Sequence, residues 1–95
     1  DCEDFVLLKR RMLVERGWPV GALLITVVRQ QNGDGHAVLT VLTDRGDLVL
    51  DNLAPQVSLW SDTPYQYLKR QSIHDTGSWV AIEDGRAAVV GSLRN

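Results

Sequence analysis

Apolar residues recur at three- and four-residue intervals over the first sixteen positions. Phe5, Leu8 and Met12, with Val6 and Leu13, form one stripe and predict a helix from Glu3 to Arg16. Asp1 suits its N-cap, and Glu3 and Asp4 suit the positive end of the helix dipole. Lys9, Arg10, Arg11 and Arg16 lie toward the other end, and Gly17 before Trp18-Pro19 is a stop signal. The period then changes to two. Val20 to Arg29 predicts a strand that is apolar on both faces, Leu23, Ile25 and Val27 on one and Leu24, Thr26 and Val28 on the other, as in the middle of a covered sheet. Gln30 to Gly35 is a turn by composition. His36 to Thr43 and Asp47 to Asn52 predict two further strands joined by a tight turn at Asp44-Arg45-Gly46.

Beyond Asn52 the pattern weakens. Ala54-Pro55 breaks the strand, Gln56 to Asp62 reads as a short extended piece ending near Trp60, and Thr63-Pro64-Tyr65 reads as a loop. Ser78 to Glu83 and Arg86 to Val90 predict two strands around Asp84-Gly85, followed by a frayed tail. One helix on an antiparallel sheet is an α+β fold, and 95 residues make it a single domain, 1–95.

Composition narrows the function classes. The net charge is −2 and the Lys and Arg residues are dispersed, which leaves no basic surface for nucleic acid. No apolar run approaches the ~20 residues of a membrane span. A single cysteine excludes an internal disulfide framework, so the thiol is free, paired with another chain, or reactive.

That cysteine, Cys2, stands at the predicted helix start, where unpaired backbone N–H groups favour a thiolate. A thiol among the carboxylates of Asp1, Glu3 and Asp4 makes a poor core residue, which favours reactivity over simple packing. His36 opens the second strand and Asp51 closes the third, in the order nucleophile, base, orienter. His74, the other histidine, falls in the polar loop IHDTGS. Trp60, Tyr65 and Tyr67 are aromatics that serve either a substrate groove or the core. On residue chemistry alone, Asp1, Glu3 and Asp4 read as a capped, dipole-matched helix start. The alternative is a hard cation, such as Ca²⁺, that would offset their charge beside the thiol.

Register decides whether His36 and Asp51 can meet. A hairpin loop of Asp44-Arg45 pairs Thr43 with Gly46 and sets Val38 opposite Asp51, leaving His36 a same-face diagonal neighbour about 7–8 Å away by backbone. Moving the loop to Arg45-Gly46 pairs Thr40 with Asp51 and separates His36 from it by roughly 13 Å. A three-residue loop puts the two on opposite faces. Ordinary turn preferences for Gly46 favour the last two registers.

The wording around these residues adds a resemblance. DCED with KRR downstream, GHAVL, VLDN, and Tyr65-x-Tyr67-x-x-Arg70-Gln71-Ser72 occur in the order seen in the bacterial transglutaminase-like cysteine proteinases, and the likeness runs from Asp1 to about Trp79. The chain is similar to their periplasmic, adhesin-releasing (LapG-type) branch. The resemblance implies a papain/transglutaminase-like core and a Cys2–His36–Asp51 triad performing thiol acyl transfer. It also implies Ca²⁺ at Asp1 and Glu3, with Asp4 a third candidate ligand. The expected substrate is a cell-surface or periplasmic protein such as an adhesin, the location periplasmic, and the expected regulator an inner-membrane receptor. The family carries a helical region upstream of the cysteine, so this chain reads as a fragment of low activity whose open cleft favours a homodimer. Arg70-Gln71-Ser72 is expected to hold a loop over the sheet by hydrogen bonding. A transglutaminase or amidase using the same triad, and a non-catalytic peptide-binding module, are the rival readings.

Overall fold

The first helix, α1 (Cys2–Glu15), is set by its caps. Asp1 Oδ1 accepts a hydrogen bond from the Asp4 N–H at 3.0 Å, satisfying one of the first-turn donors. At the other end Gly17 takes a φ of 98°, and the N–H groups of Gly17 and Trp18 return to the carbonyls of Val14 and Leu13, each at 3.0 Å. Glycine at this position closes a helix without the steric cost of a Cβ. The computed structural model describes residues 1–83 and 86–87 of the chain.

Among the described residues seven antiparallel strands follow: β1 (Leu23–Arg29), β2 (Gly35–Thr43), β3 (Gly46–Leu50), β4 (Ser58–Leu59), β5 (Gln66–Gln71), β6 (Trp79–Glu83) and β7 (Arg86–Ala87). They form one sheet in the order β4-β3-β2-β1-β5-β6-β7, so the doubly apolar β1 lies at its centre. The fold is α+β, as expected. Val20–Ala22, expected as the start of β1, is a short 3₁₀ turn instead. Gly21 belongs there: a Cβ would come within 2.8 Å of the Ile73 carbonyl oxygen, so loop 72–78 docks where only glycine leaves room.

Strand β5 has no counterpart among the expected elements. Its stretch QYLKRQ lacks an apolar run, and its polar side chains hide the alternation. It pairs with β1, Val28 opposite Tyr67 and Thr26 opposite Arg70, with a register shift between Val27 and Val28. Gln71 ties this edge down. Its Oε1 accepts from the Ile25 N–H (2.9 Å) and its Nε2 donates to the Thr76 carbonyl (3.0 Å), so Gln71 holds loop 72–78 against β1. The turn at Asp84-Gly85, the end of the expected Arg86–Val90 strand and the tail lie outside the described residues.

The two sheet faces have separate cores. On one, Val6 of α1 packs with Leu23, Leu39 and Val41, joined by Phe5, Leu13 and Leu50. The helix therefore faces the sheet through Phe5, Val6 and Leu13, while Leu8 and Met12 of the expected stripe are exposed. Two arcs of apolar residues run along α1, and the sheet takes the one whose members, Val6 and Leu13, recur after two full turns. On the other face Val28, Val38, Val49 and Tyr67 pack with Trp60 and Tyr65. Thr26 and Thr40, buried on this second face, share a 2.6 Å hydrogen bond.

Candidate active site

The β2–β3 hairpin closes in the register that brings a base to a carboxylate. Thr43 pairs with Gly46 and Leu39 with Leu50, so the loop is Asp44-Arg45. Turn preference alone disfavours this loop; the side chain of Thr43 supports it. The Thr43 hydroxyl donates to the Gly46 carbonyl at 2.7 Å and accepts from the Arg45 N–H at 3.1 Å, locking the two-residue loop from inside. Gly46, φ 119°, is the residue that accommodates the resulting backbone.

His36 and Asp51 are both 7 % exposed, and their side chains meet at 2.7 Å between Nε2 and Oδ1. Burial works against ionisation of Asp51, but hydrogen bonds from Tyr65, His36 and the Leu53 N–H outweigh it and hold the carboxyl below its usual range. An ionised carboxylate only accepts, so Nε2 carries the proton and donates. The same Oδ1 accepts from the Leu53 N–H (2.9 Å), and Oδ2 accepts from the Tyr65 hydroxyl. Asp51 is thus fully engaged, with three donors from three parts of the chain. In the neutral imidazole this tautomer leaves the lone pair on Nδ1. Among the described residues no hydrogen bond engages Nδ1.

Strand alternation sets the direction from which this pair approaches. Ala37, Leu39 and Val41 pack toward α1, whereas His36, Val38 and Thr40 alternate onto the second face. Cys2 lies half-buried in the first turn of α1, on the helix side. The helix runs along the sheet with its N-terminus at the His36 end: Glu3, Val6 and Leu7 line a cleft of about 300 Å³ with Val27 and Ala37, while Arg10 Nε donates to the Leu23 carbonyl (3.2 Å) at the far end of β1. A second cleft of about 360 Å³ lies between Phe5 and Lys9 of α1 and the segment after β3, with Asp51, Asn52 and Pro55 on its wall. Among the described residues the Cys2 thiol makes no hydrogen bond. The structure brings His36 and Asp51 together and starts the Cys2 helix at the same end of the sheet.

The remaining expected residues fall as follows. Asp1, Glu3 and Asp4 are exposed around the first turn, Asp1 occupied as the N-cap and its amino group 3.9 Å from Asp4 Oδ2. Among the described residues no set of three His, Cys, Asp or Glu is placed to hold a metal ion. A cation here would have to gather ligands that the first turn does not itself converge. His74 is exposed in its loop. Tyr67 is buried and meets Trp60 edge-on at 5.6 Å, so these two aromatics serve the core. Tyr65, expected in a substrate groove or the core, packs on the second core and also bonds Asp51, a role that sequence reasoning missed. The pairing that brings it there is visible only in the fold: Tyr67, two residues on, lies across Val28 from His36.

Comparison with known proteins settles the family. The model of the bacterial transglutaminase-like cysteine proteinases matches residues 1–87. The chain belongs to this family. No curated protein and no solved structure matches it. The transglutaminase-like proteinase assignment covers α1 and the sheet through β7, and so includes every residue of the candidate site.

Proposed function

We propose that the chain is the catalytic core of a cysteine endopeptidase that uses Cys2 as nucleophile, His36 as general base and acid, and Asp51 as orienter. The observation that carries this reading is the His36–Asp51 pair: Nε2 is bound to a buried carboxylate, at the sheet end where the cysteine helix begins. In this reaction Nδ1 accepts the thiol proton and the thiolate attacks a peptide carbonyl carbon. Nδ1–H then protonates the leaving amine as the C–N bond breaks. Water, deprotonated by Nδ1, attacks the thioester and releases the new carboxyl group and the free thiol. The unpaired backbone N–H of Cys2 is an oxyanion donor. The clefts flanking the first turn of α1 are suited to an extended peptide. The reading requires the first turn to carry Cys2 over the sheet end to Nδ1.

The substrate in this proposal is a cell-surface or periplasmic protein such as an adhesin, with the enzyme in the periplasm under an inner-membrane receptor. Calcium at Asp1, Glu3 and Asp4 is kept as a separate proposal, and no step above passes through it. Isothermal titration with Ca²⁺, repeated on Asp1→Ala/Glu3→Ala, tests it independently of activity.

Alkylation by iodoacetamide at neutral pH reports on one thiol because the chain has one cysteine. At neutral pH His36→Ala and Asp51→Asn should slow alkylation of Cys2 by about tenfold or more, the range of a lost general base. Equal rates in wild type and His36→Ala would remove the enzyme reading and favour a peptide-binding module. Amine incorporation into a glutamine peptide would favour the transglutaminase alternative.

A further inference from the structure

Asp51 presents two oxygens, and rotation about its last side-chain bond exchanges them. The His36 Nε2–H and the Leu53 N–H both address Oδ1, at 2.7 and 2.9 Å, and neither touches Oδ2. Among the described residues only the Tyr65 hydroxyl binds Oδ2. Tyr65 comes from the segment before β5, across β1 from the hairpin that carries the pair. Its ring also lies against the imidazole, centroids 5.6 Å apart and planes tilted by 58°. One side chain therefore touches both members of the dyad, one through its ring and the other through its hydroxyl.

We propose that Tyr65 is a positioning residue of the active site, whose hydroxyl fixes the Asp51 carboxylate so that Oδ1 stays aimed at His36 Nε2. The inference rests on the Cys–His–Asp reading given above. The hydroxyl is suited to the role across the working pH range. Burial pushes the phenol up, and the bond to Asp51 and its charge push it further, so it remains a protonated donor. The same bond favours the ionised form of Asp51, the form that keeps the proton on Nε2 and the lone pair on Nδ1. The groups facing Asp51 are His36 from β2, Tyr65 and Tyr67 from the β5 side, and Lys9 across the cleft from α1. Of these, Tyr65 is the only hydroxyl bonded to the carboxylate; Tyr67 bonds Thr63 at 2.6 Å instead. Among the described residues Tyr65 therefore stands in for the second partner that Oδ2 would otherwise find in water.

The test is Tyr65→Phe in the chain of residues 1–95, which keeps the ring against His36 and removes one oxygen. The Asp51 carboxyl carbon is followed by ¹³C NMR against pH, its signal assigned by its loss in Asp51→Asn. The midpoint should rise by about one pH unit in Tyr65→Phe, about a tenfold change in the proton equilibrium, as expected for one hydrogen bond withdrawn from a charged acceptor. Cys2 alkylation at neutral pH should slow about three- to tenfold. A second variant, 3,5-difluorotyrosine at position 65, is a stronger donor of the same shape and should move the midpoint down. Midpoints that stay together in all three proteins overturn the proposal. Failure of the underlying reading looks different. If His36→Ala and Asp51→Asn leave alkylation at the wild-type rate, the dyad does not serve Cys2, whatever Tyr65 does to Asp51.

Discussion

Replacing Asp51 tests whether its carboxylate is a structural tie as well as an orienter, and the two roles separate by choice of substituent. Asp51→Ala strands three donors: the His36 Nε2–H, whose side chain is 4 % exposed, and the Leu53 N–H and Tyr65 hydroxyl, which are part-buried. A sealed donor without an acceptor costs about 1–3 kcal/mol, and the two that can recruit water cost less, so the sum is roughly 3–5 kcal/mol. A domain of this size has about 5–15 kcal/mol in total, so Asp51→Ala approaches the folding threshold. Asp51→Asn keeps the shape and an Oδ1 that accepts from His36 and Leu53, and its amide can donate to a rotated Tyr65 hydroxyl. Its cost is about 1–2 kcal/mol, the charge assistance that is lost.

Urea unfolding followed by tryptophan fluorescence reads both. At about 1–2 kcal/mol per molar, the Asp51→Ala midpoint should fall by roughly 2–3 M and the Asp51→Asn midpoint by about 1 M. The pH dependence has a definite sign. Hydrogen bonds hold the native carboxyl below 3.8 against the opposing effect of burial, so its contribution is complete above 3.8 and is lost as pH falls through the native value. The gap between wild type and Asp51→Asn should therefore close on acidification below that range. An Asp51→Ala midpoint equal to wild type, or a gap unchanged between neutral and acid pH, would refute the reasoning.

Two further predictions concern the scaffold. The Thr26 hydroxyl donates to the Leu24 carbonyl (3.0 Å) and accepts from Thr40, so the pair is asymmetric. Thr26→Val leaves a buried Thr40 hydroxyl without an acceptor and should cost about 1–3 kcal/mol, while Thr40→Val removes only a donor and should cost less than about 1 kcal/mol; equal melting temperatures for the two would contradict this assignment of donor and acceptor. Gly21→Ala places a Cβ 2.8 Å from the Ile73 carbonyl oxygen and should lower stability by about 1–3 kcal/mol while increasing amide exchange in loop 72–78. Unchanged exchange there would show that the loop does not rest on Gly21.

The helix, the doubly apolar central strand and the β2–β3 hairpin were legible in the sequence because each is set by neighbours in the chain. Asp1 caps its own helix, Gly17 ends it, and β1 shows its two buried faces in its own composition. Cys2, His36 and Asp51 were also legible as candidates, from residue type and order. Three things were not. The hairpin register depended on a Thr43 hydroxyl acting against the turn preference of Gly46. Strand β5 carries Lys69, Arg70 and Gln71 and becomes a strand by pairing with β1 on one side and β6 on the other. Tyr65 entered the site through that same pairing, since no local pattern places a residue 14 positions on against Asp51. Local chemistry is written in the order of residues. Which oxygen of Asp51 meets which partner depends on distant segments meeting across the sheet, and only the folded chain decides it.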